Sequence, residues 1–112
     1  MIPSQMLKGM LEGCVLKVVS EQETYGYQIV QELKDYGFVE IVEGTIYPLL
    51  LRLDSKGLLQ SRLVESDIGP RRKYYSITPV GRETLNEFQH NWEELEVVVN
   101  ALFKGEKNNE RG

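Results

Sequence analysis

Within EGTIYPLLLRLDSKGL, the segment beginning at Glu43, the apolar residues Ile46, Leu49, Leu50 and Leu53 recur at i, i+3, i+4 and i+7. That spacing gathers them on one buried face of a helix and leaves Thr45, Tyr47, Pro48, Arg52, Ser55 and Lys56 facing outward. Pro48 fits only near the start of such a helix, because deeper inside its ring removes a hydrogen bond and clashes with the preceding turn. The helix is therefore expected to begin near Gly44 and Thr45, with Thr45 as N-cap, and to stop at Gly57, where a left-handed residue followed by Leu58 closes the last turn. Beyond Gly57 the helical spacing gives way to short runs of Leu, Val, Tyr and Ile at 59–64 and 73–77, which predict two antiparallel strands. Between them Glu65-Ser66-Asp67-Ile68-Gly69-Pro70 has the composition of a hairpin loop, with Arg71, Arg72 and Lys73 together at its exit.

Three further helices surround this unit. The first is expected over 4–19 and has two apolar faces, Leu7, Leu11, Cys14 and Val18 on one side and Met6, Met10 and Gly13 on another. The first face lines a core; the second either thickens that stripe or meets another helix, a subunit or a ligand. A second helix over 25–36 turns Ile29, Val30 and Leu33 inward and stops at Gly37, and a short extended piece, 38–42, leads on to the helix containing Pro48. Tyr25 and Gly26 at its start either bring a phenol and a backbone N–H to a phosphate or serve packing. The last helix opens at Thr78-Pro79, a cap residue followed by proline at the first helical position, and runs to about Lys104. Along it Leu85, Phe88, Trp92, Leu95, Val99 and Leu102 alternate in steps of three and four, the seam of a heptad repeat. A helix of that length, close to 40 Å, exceeds what so small a domain can cover, so its far half is expected to pair with a second copy; the competing reading is that it folds back onto the first helix, and both hold if the first helix joins the interface.

The predicted fold class is mainly α with a small β-hairpin: a winged helix-turn-helix over 1–77, a long C-terminal dimerisation helix over 78–105, and a polar, disordered tail over 106–112. In a winged helix-turn-helix the helix beginning at Gly44 is the recognition helix. Its first turn offers free N–H groups, a hydroxyl and a phenol to a major groove, and three cations at the hairpin are placed for phosphates.

Composition sharpens the picture in three places. With 112 residues and 41% hydrophobic content the chain is one small domain that gains from a partner subunit. There is no apolar run long enough to span a bilayer, and MIPSQMLKGMLEG lacks the basic-then-apolar layout of a signal peptide, so a cytoplasmic protein without membrane contact is expected. The net charge of −4 is unusual for a protein that binds a polyanion. Glu83, Glu87, Glu93, Glu94 and Glu96 concentrate that acidity in the C-terminal third, whereas 69–75 carries cations and no carboxylate. Local field decides where a polyanion docks, so a basic wing on an acidic chain predicts DNA binding that depends steeply on salt. One cysteine, Cys14, and one histidine, His90, cannot make an ordinary zinc site, and Cys14 is first of all a small core residue. No phosphate-binding glycine loop and no nucleophile with a base is present, so neither a cofactor, a metal nor an enzymatic activity is expected.

Three blocks resemble the PadR family of bacterial transcriptional regulators: YGYQIVQEL from Tyr25, EGTIYPLLLRLDSKGLL from Glu43, and GPRRKYYSITPVGRETL from Gly69. The resemblance spans nearly the whole chain, and the single C-terminal helix is similar to the compact, multidrug-responsive branch. It implies a homodimer whose C-terminal helix packs with the first helix of the other subunit, a palindromic double-stranded operator, and repression of nearby genes. By match to the family's motifs, Gly44, Thr45, Tyr47 and Pro48 fall on the recognition helix, Arg52 at its flank, and Arg71, Arg72 and Lys73 on the wing. The branch also implies an interfacial pore that sandwiches flat aromatic or cationic aromatic effectors between paired tryptophans, here Trp92, with Met6, Met10, Gly13, Gln89 and Glu96 nearby. A tryptophan on a seam is more often simply interface packing, with Phe88 able to fill the space. The alternative of a different class, a winged-helix protein-interaction module, would show no salt-sensitive binding to duplex DNA.

Overall fold

Ile46, Leu50 and Leu53 have no surface left exposed, and they sit at the centre of a core completed by Val15, Leu16, Val19, Ile29, Val30, Leu33, Leu59 and Tyr75. The computed structural model describes residues 1–66 and 68–108. Its elements in chain order are α1 (Ser4–Leu7), α2 (Leu11–Glu21), β1 (Thr24–Tyr25), α3 (Gly26–Tyr36), α4 (Glu43–Ser55), β2 (Leu59–Val64), β3 (Arg72–Ile77) and α5 (Pro79–Lys104). Helices α2, α3 and α4 enclose the core, and the small sheet closes it.

The first helix is not continuous over 4–19. It breaks at Lys8-Gly9-Met10, where the Met10 N–H bonds Leu7 O at 2.8 Å, a tight turn next to the residue type that least favours a helix after proline. The core face of α2 also sits one step round from the expected stripe. Val15, Leu16 and Val19 are its buried hydrophobic residues, and Leu11, Cys14 and Val18 pack against the core from its edge. Gly13 is buried beneath the Phe88 ring of α5, where a Cβ would overlap that ring.

A third strand joins the expected hairpin. Thr24 and Tyr25 pair antiparallel with Tyr75 and Tyr74, so the sheet order is β1-β3-β2 and the helix expected from residue 25 starts at Gly26 instead. Two residues cannot display a period-two pattern; only the partner strand makes them a strand. The link at 38–42 is not extended throughout, because the Ile41 N–H turns back to Phe38 O at 3.2 Å and drives Ile41 into the core.

Helix α4 begins at Glu43, two residues before Thr45. Its N-cap is Val42, which makes no side-chain cap, and the Thr45 N–H bonds Val42 O at 3.1 Å, so Thr45 is a first-turn residue and not the cap. Pro48 consequently lies inside the helix. The donor it lacks would have met the carbonyl of Gly44, and because both residues are exposed, water can serve that carbonyl instead. The C-terminal end is as the sequence predicts: Gly57, at φ +77°, donates to Asp54 O at 2.9 Å and Leu58 to Leu53 O at 3.0 Å, the paired bonds of a Schellman stop.

One residue ties that stop to the last helix. The Thr78 hydroxyl donates to Gly57 O at 2.6 Å, lies 3.1 Å from Leu58 O, and accepts from the Gly81 N–H at 3.0 Å as N-cap of α5. Gly81 is required here, since a Cβ would overlap the Leu58 carbonyl oxygen. From this anchor the first turns of α5 run against α2, so Leu85 packs on the core and Phe88 on Gly13 within the same chain. These two residues of the expected dimer seam therefore serve in-chain packing. Farther along, Trp92, Leu95, Val99 and Leu102 stand exposed. The helix stops at Gly105, and the Glu106 N–H returns to Ala101 O at 2.9 Å. Of the tail expected to be disordered, 106–108 are exposed and 109–112 lie outside the described residues.

Replacing Thr78 by Val keeps its shape but removes both the cap and the donated bond, and should destabilise the fold by about 1–2 kcal/mol. Thr78→Ser should retain most of that stability. Urea midpoints at an unchanged slope measure it; equal midpoints for Thr78→Val and the parent would show that the hydroxyl does not hold α5 to α4.

Candidate nucleic-acid interface

Burial of one face of α4 decides what its other face presents. With Ile46, Leu49, Leu50 and Leu53 inward, the residues Gly44, Thr45, Tyr47, Pro48, Leu51 and Arg52 are all exposed. Between this helix and the hairpin runs a groove of about 410 Å³. It is lined by Tyr47 and Leu51 of α4, by Tyr25 and Gly26 at the start of α3, and by Arg71, Arg72 and Lys73 of the hairpin. Six residues singled out in the sequence thus meet around one groove, whereas Gly44, Thr45 and Pro48 lie outward on the first turns of α4.

Tyr47 rests on Gly26, where a Cβ would overlap its ring, so the glycine is needed for close approach of the two helices. Gly26 itself is buried. The Tyr47 phenol is pushed up from its ordinary pKa by burial and then by Glu43, through both its charge and a side-chain hydrogen bond. It is therefore a neutral donor at physiological pH, held along the helix by the carboxylate four residues before it.

Sequence places Arg71, Arg72 and Lys73 side by side, but the strand separates them. Successive side chains of β3 leave opposite faces of the sheet. The Arg72 guanidinium stacks 4.6 Å from the Tyr25 ring centroid, and that ring in turn lies 5.1 Å from Tyr74 at 53°. Lys73 Nζ is 5.8 Å from the Tyr75 ring on the other face, and Arg71 Nε reaches Glu65 Oε1 across the hairpin at 3.5 Å. The aromatic contacts position two cations without neutralising them, which leaves both charges available to an anion.

Several charged partners were not legible from the sequence. Arg62 of β2 holds Glu23 in a two-pronged pair, Nε to Oε2 at 2.7 Å and Nη2 to Oε1 at 2.6 Å, and its guanidinium keeps the Glu23 carboxyl below its ordinary pKa. Arg52 does not point freely outward: its Nε lies 3.7 Å from Glu12 Oε2, and Lys56 Nζ lies 3.3 Å from Glu12 Oε1. None of these three pairs follows from local spacing, since the partners are 39 to 44 residues apart in sequence.

The remaining candidates sit away from this groove. Gln89, Trp92 and Glu96 make an exposed row on α5; Met6 is exposed, Met10 half-buried, and Gly13 is covered by Phe88. Cys14 is half-buried and burial pushes its thiol up, so it stays protonated. Among the described residues no group of three His, Cys, Asp or Glu side chains is placed to hold a metal ion, and no helix is long and apolar enough to cross a membrane.

Comparison with known proteins supplies an independent measure. Residues 15–87 match the transcriptional regulator PadR-like family. A solved PadR-like transcriptional regulator from Bacillus cereus is 47% identical, covers 88% of this chain and 96% of its own, and superposes with a TM-score of 0.80. A PadR family transcriptional regulator from Eggerthella lenta is 35% identical, with 89% and 87% covered and a TM-score of 0.81. A transcriptional regulator of Mycobacterium tuberculosis is 38% identical over 81 residues, 72% of this chain and 74% of that protein. The matched segment contains the recognition helix, the wing and the first turns of α5, and the fold agrees over nearly the whole length: the chain belongs to the PadR-like family of transcriptional regulators, DNA-binding proteins and not enzymes.

Proposed function

We propose that the protein is a homodimeric, sequence-specific repressor working in the cytoplasm, in which residues 1–77 read DNA and residues 78–105 join two copies. The observation that carries this reading is the groove in which Tyr47 and Leu51 of α4 meet the wing cations, with Gly44, Thr45 and Pro48 exposed on the turns beside it. A duplex laid along α4 meets Gly44, Thr45, Tyr47 and Pro48 at base edges and Arg71, Arg72 and Lys73 at phosphates. With one module for DNA and one for its partner, it acts by occupying its operator. Two-fold pairing of the heads makes that operator palindromic.

Support for the dimer comes from exposed apolar surface. Trp92 is 41% exposed, Leu95 50%, Val99 39% and Leu102 78%, all on one stripe of a helix. The molecule measures 64 × 31 × 20 Å with a radius of gyration of 16.9 Å, against about 13 Å for a compact domain of this length. Its accessible surface of 8368 Å² exceeds by about a third what a folded monomer of its mass exposes. An apolar groove of about 360 Å³ between α2 and α3 ends at Phe88, where the exposed seam begins, so the surface offered to a partner is continuous.

We further propose that flat aromatic or cationic aromatic effectors stack on Trp92 at this interface, with Glu96 one turn on to meet a positive charge.

Binding to the protein's own promoter region by gel shift tests the main reading. Replacing Arg71, Arg72 and Lys73 by Ala should weaken binding to operator and random duplex alike and flatten the slope of log K against log salt, by roughly 0.9 for each phosphate that is no longer neutralised. An unchanged slope would remove the wing from the interface.

Leu95 lies outside the core of its own chain, so Leu95→Arg should leave each protomer folded while a buried, unpaired charge opposes pairing by several kcal/mol. Sedimentation should find monomers with weakened operator binding. A dimeric variant that binds normally would place the interface elsewhere.

Because Trp92 is the only tryptophan, planar dyes should quench its fluorescence saturably, with the midpoint at which they alter operator affinity. Operator must shift dye affinity by the same factor, as linkage requires. Silence of both signals across a broad panel of planar dyes and phenolic acids would reduce Trp92 to packing.

A further inference from the structure

We propose that Glu12 is an internal substitute for a DNA phosphate, occupying a two-cation anion site made by Arg52 and Lys56 that the duplex must take over when it binds. The inference rests on the DNA-binding reading and extends it to a residue outside the recognition helix and the wing.

Gly44, Pro48 and Arg52 follow one another at intervals of four along α4, Lys56 continues the series as its C-cap, and all four are exposed. Such residues form one continuous ridge on a helix. A duplex lying against Gly44 and Pro48 therefore passes Arg52 and Lys56 on the same ridge. Both cations are already met by one carboxylate from another element: Glu12, in the first turn of α2, turns Oε2 to Arg52 Nε at 3.7 Å and Oε1 to Lys56 Nζ at 3.3 Å. Two oxygens bridging an arginine and a lysine is the arrangement a phosphate would also make.

Exposure decides between a structural role and a competitive one. The side chains of Arg52, Lys56 and Glu12 are 54%, 50% and 39% exposed. Ion pairs this open to solvent contribute little to folding, so the cluster does not hold α2 to α4 to any important degree. Its effect falls on the field. A carboxylate over two cations cancels part of the positive potential at the flank of the recognition helix, in a chain whose net charge is already −4. DNA then has to displace Glu12 before either cation can neutralise a phosphate, and the carboxylate stays close by as a like charge.

Removing the carboxylate should expose the site. Anisotropy of a labelled random-sequence duplex, titrated at several salt concentrations, should show Glu12→Gln binding several-fold more tightly than the parent at low salt, with a steeper salt slope by about one to two units. Glu94→Gln, on the exposed side of α5, makes the same change in net charge and should leave the slope unaltered. Adding Arg52→Ala and Lys56→Ala to Glu12→Gln should abolish the gain. An unchanged slope in Glu12→Gln, with a denaturation midpoint showing it folded, would overturn the proposal; so would a gain matched by Glu94→Gln or one that survives loss of both cations. If the parent itself fails to bind any duplex at low salt, the DNA-binding reading falls and this inference with it.

Discussion

The complete burial of Ile46, Leu50 and Leu53 is the constraint on which the rest of the structure depends. Each such side chain contributes about 1.5–3 kcal/mol by leaving water, and together they fix the rotation of α4 about its own axis. A helix whose rotation is fixed has no choice about its outer face. Gly44, Thr45, Tyr47, Pro48 and Arg52 are presented to solvent because the core takes the opposite side. A tolerated irregularity follows from the same geometry: Pro48 interrupts the helical bonding only on the exposed side, where water can reach the Gly44 carbonyl.

Close approaches then transmit that placement outward. Tyr47 closes on Gly26, Phe88 closes on Gly13, and the first turn of α5 closes on Leu58 through Gly81. Each contact sets one helix against another at a separation that a single methyl group would disturb. The Thr78 hydroxyl adds a polar tie between the stop of α4 and the start of α5, so the direction in which α5 leaves the domain is set at the end of the recognition helix. Helix α2 lies between the two surfaces: Glu12 faces the cations of α4, while its neighbour Gly13 receives Phe88 of α5.

Charge is arranged more economically than the net value implies. Arg72 and Lys73 of the wing rest on aromatic rings, which position a charge without cancelling it, whereas Arg71, Arg52, Lys56 and Arg62 rest on carboxylates, which do both. An acidic chain can therefore keep one strongly cationic edge beside the groove. Arg52, Lys56 and Arg62 are held against internal partners.

How much of this was written in the sequence depends on the range of the interaction. The buried stripe of α4, its stop at Gly57, the strand at 59–64 and the start of α5 at Thr78-Pro79 were all legible, because helix periodicity, a left-handed glycine and a capping residue act within a few positions. The wing cations and Tyr47 were legible as candidates for the same local reason. The N-terminus of α4, the break at Gly9 and strand β1 were not. Thr45 looks like a cap until Ile41 is drawn down to the core and the Val42 carbonyl takes the Thr45 N–H, and Thr24-Tyr25 becomes a strand only when Tyr74 and Tyr75 lie beside it. The separation of Arg72 from Lys73, the pairing of Arg62 with Glu23 and the bridge from Glu12 to Arg52 and Lys56 likewise needed the assembled chain. Local preference determined what the segments are; register and packing between segments far apart in sequence decided which charges meet, because those contacts form only once the core has closed.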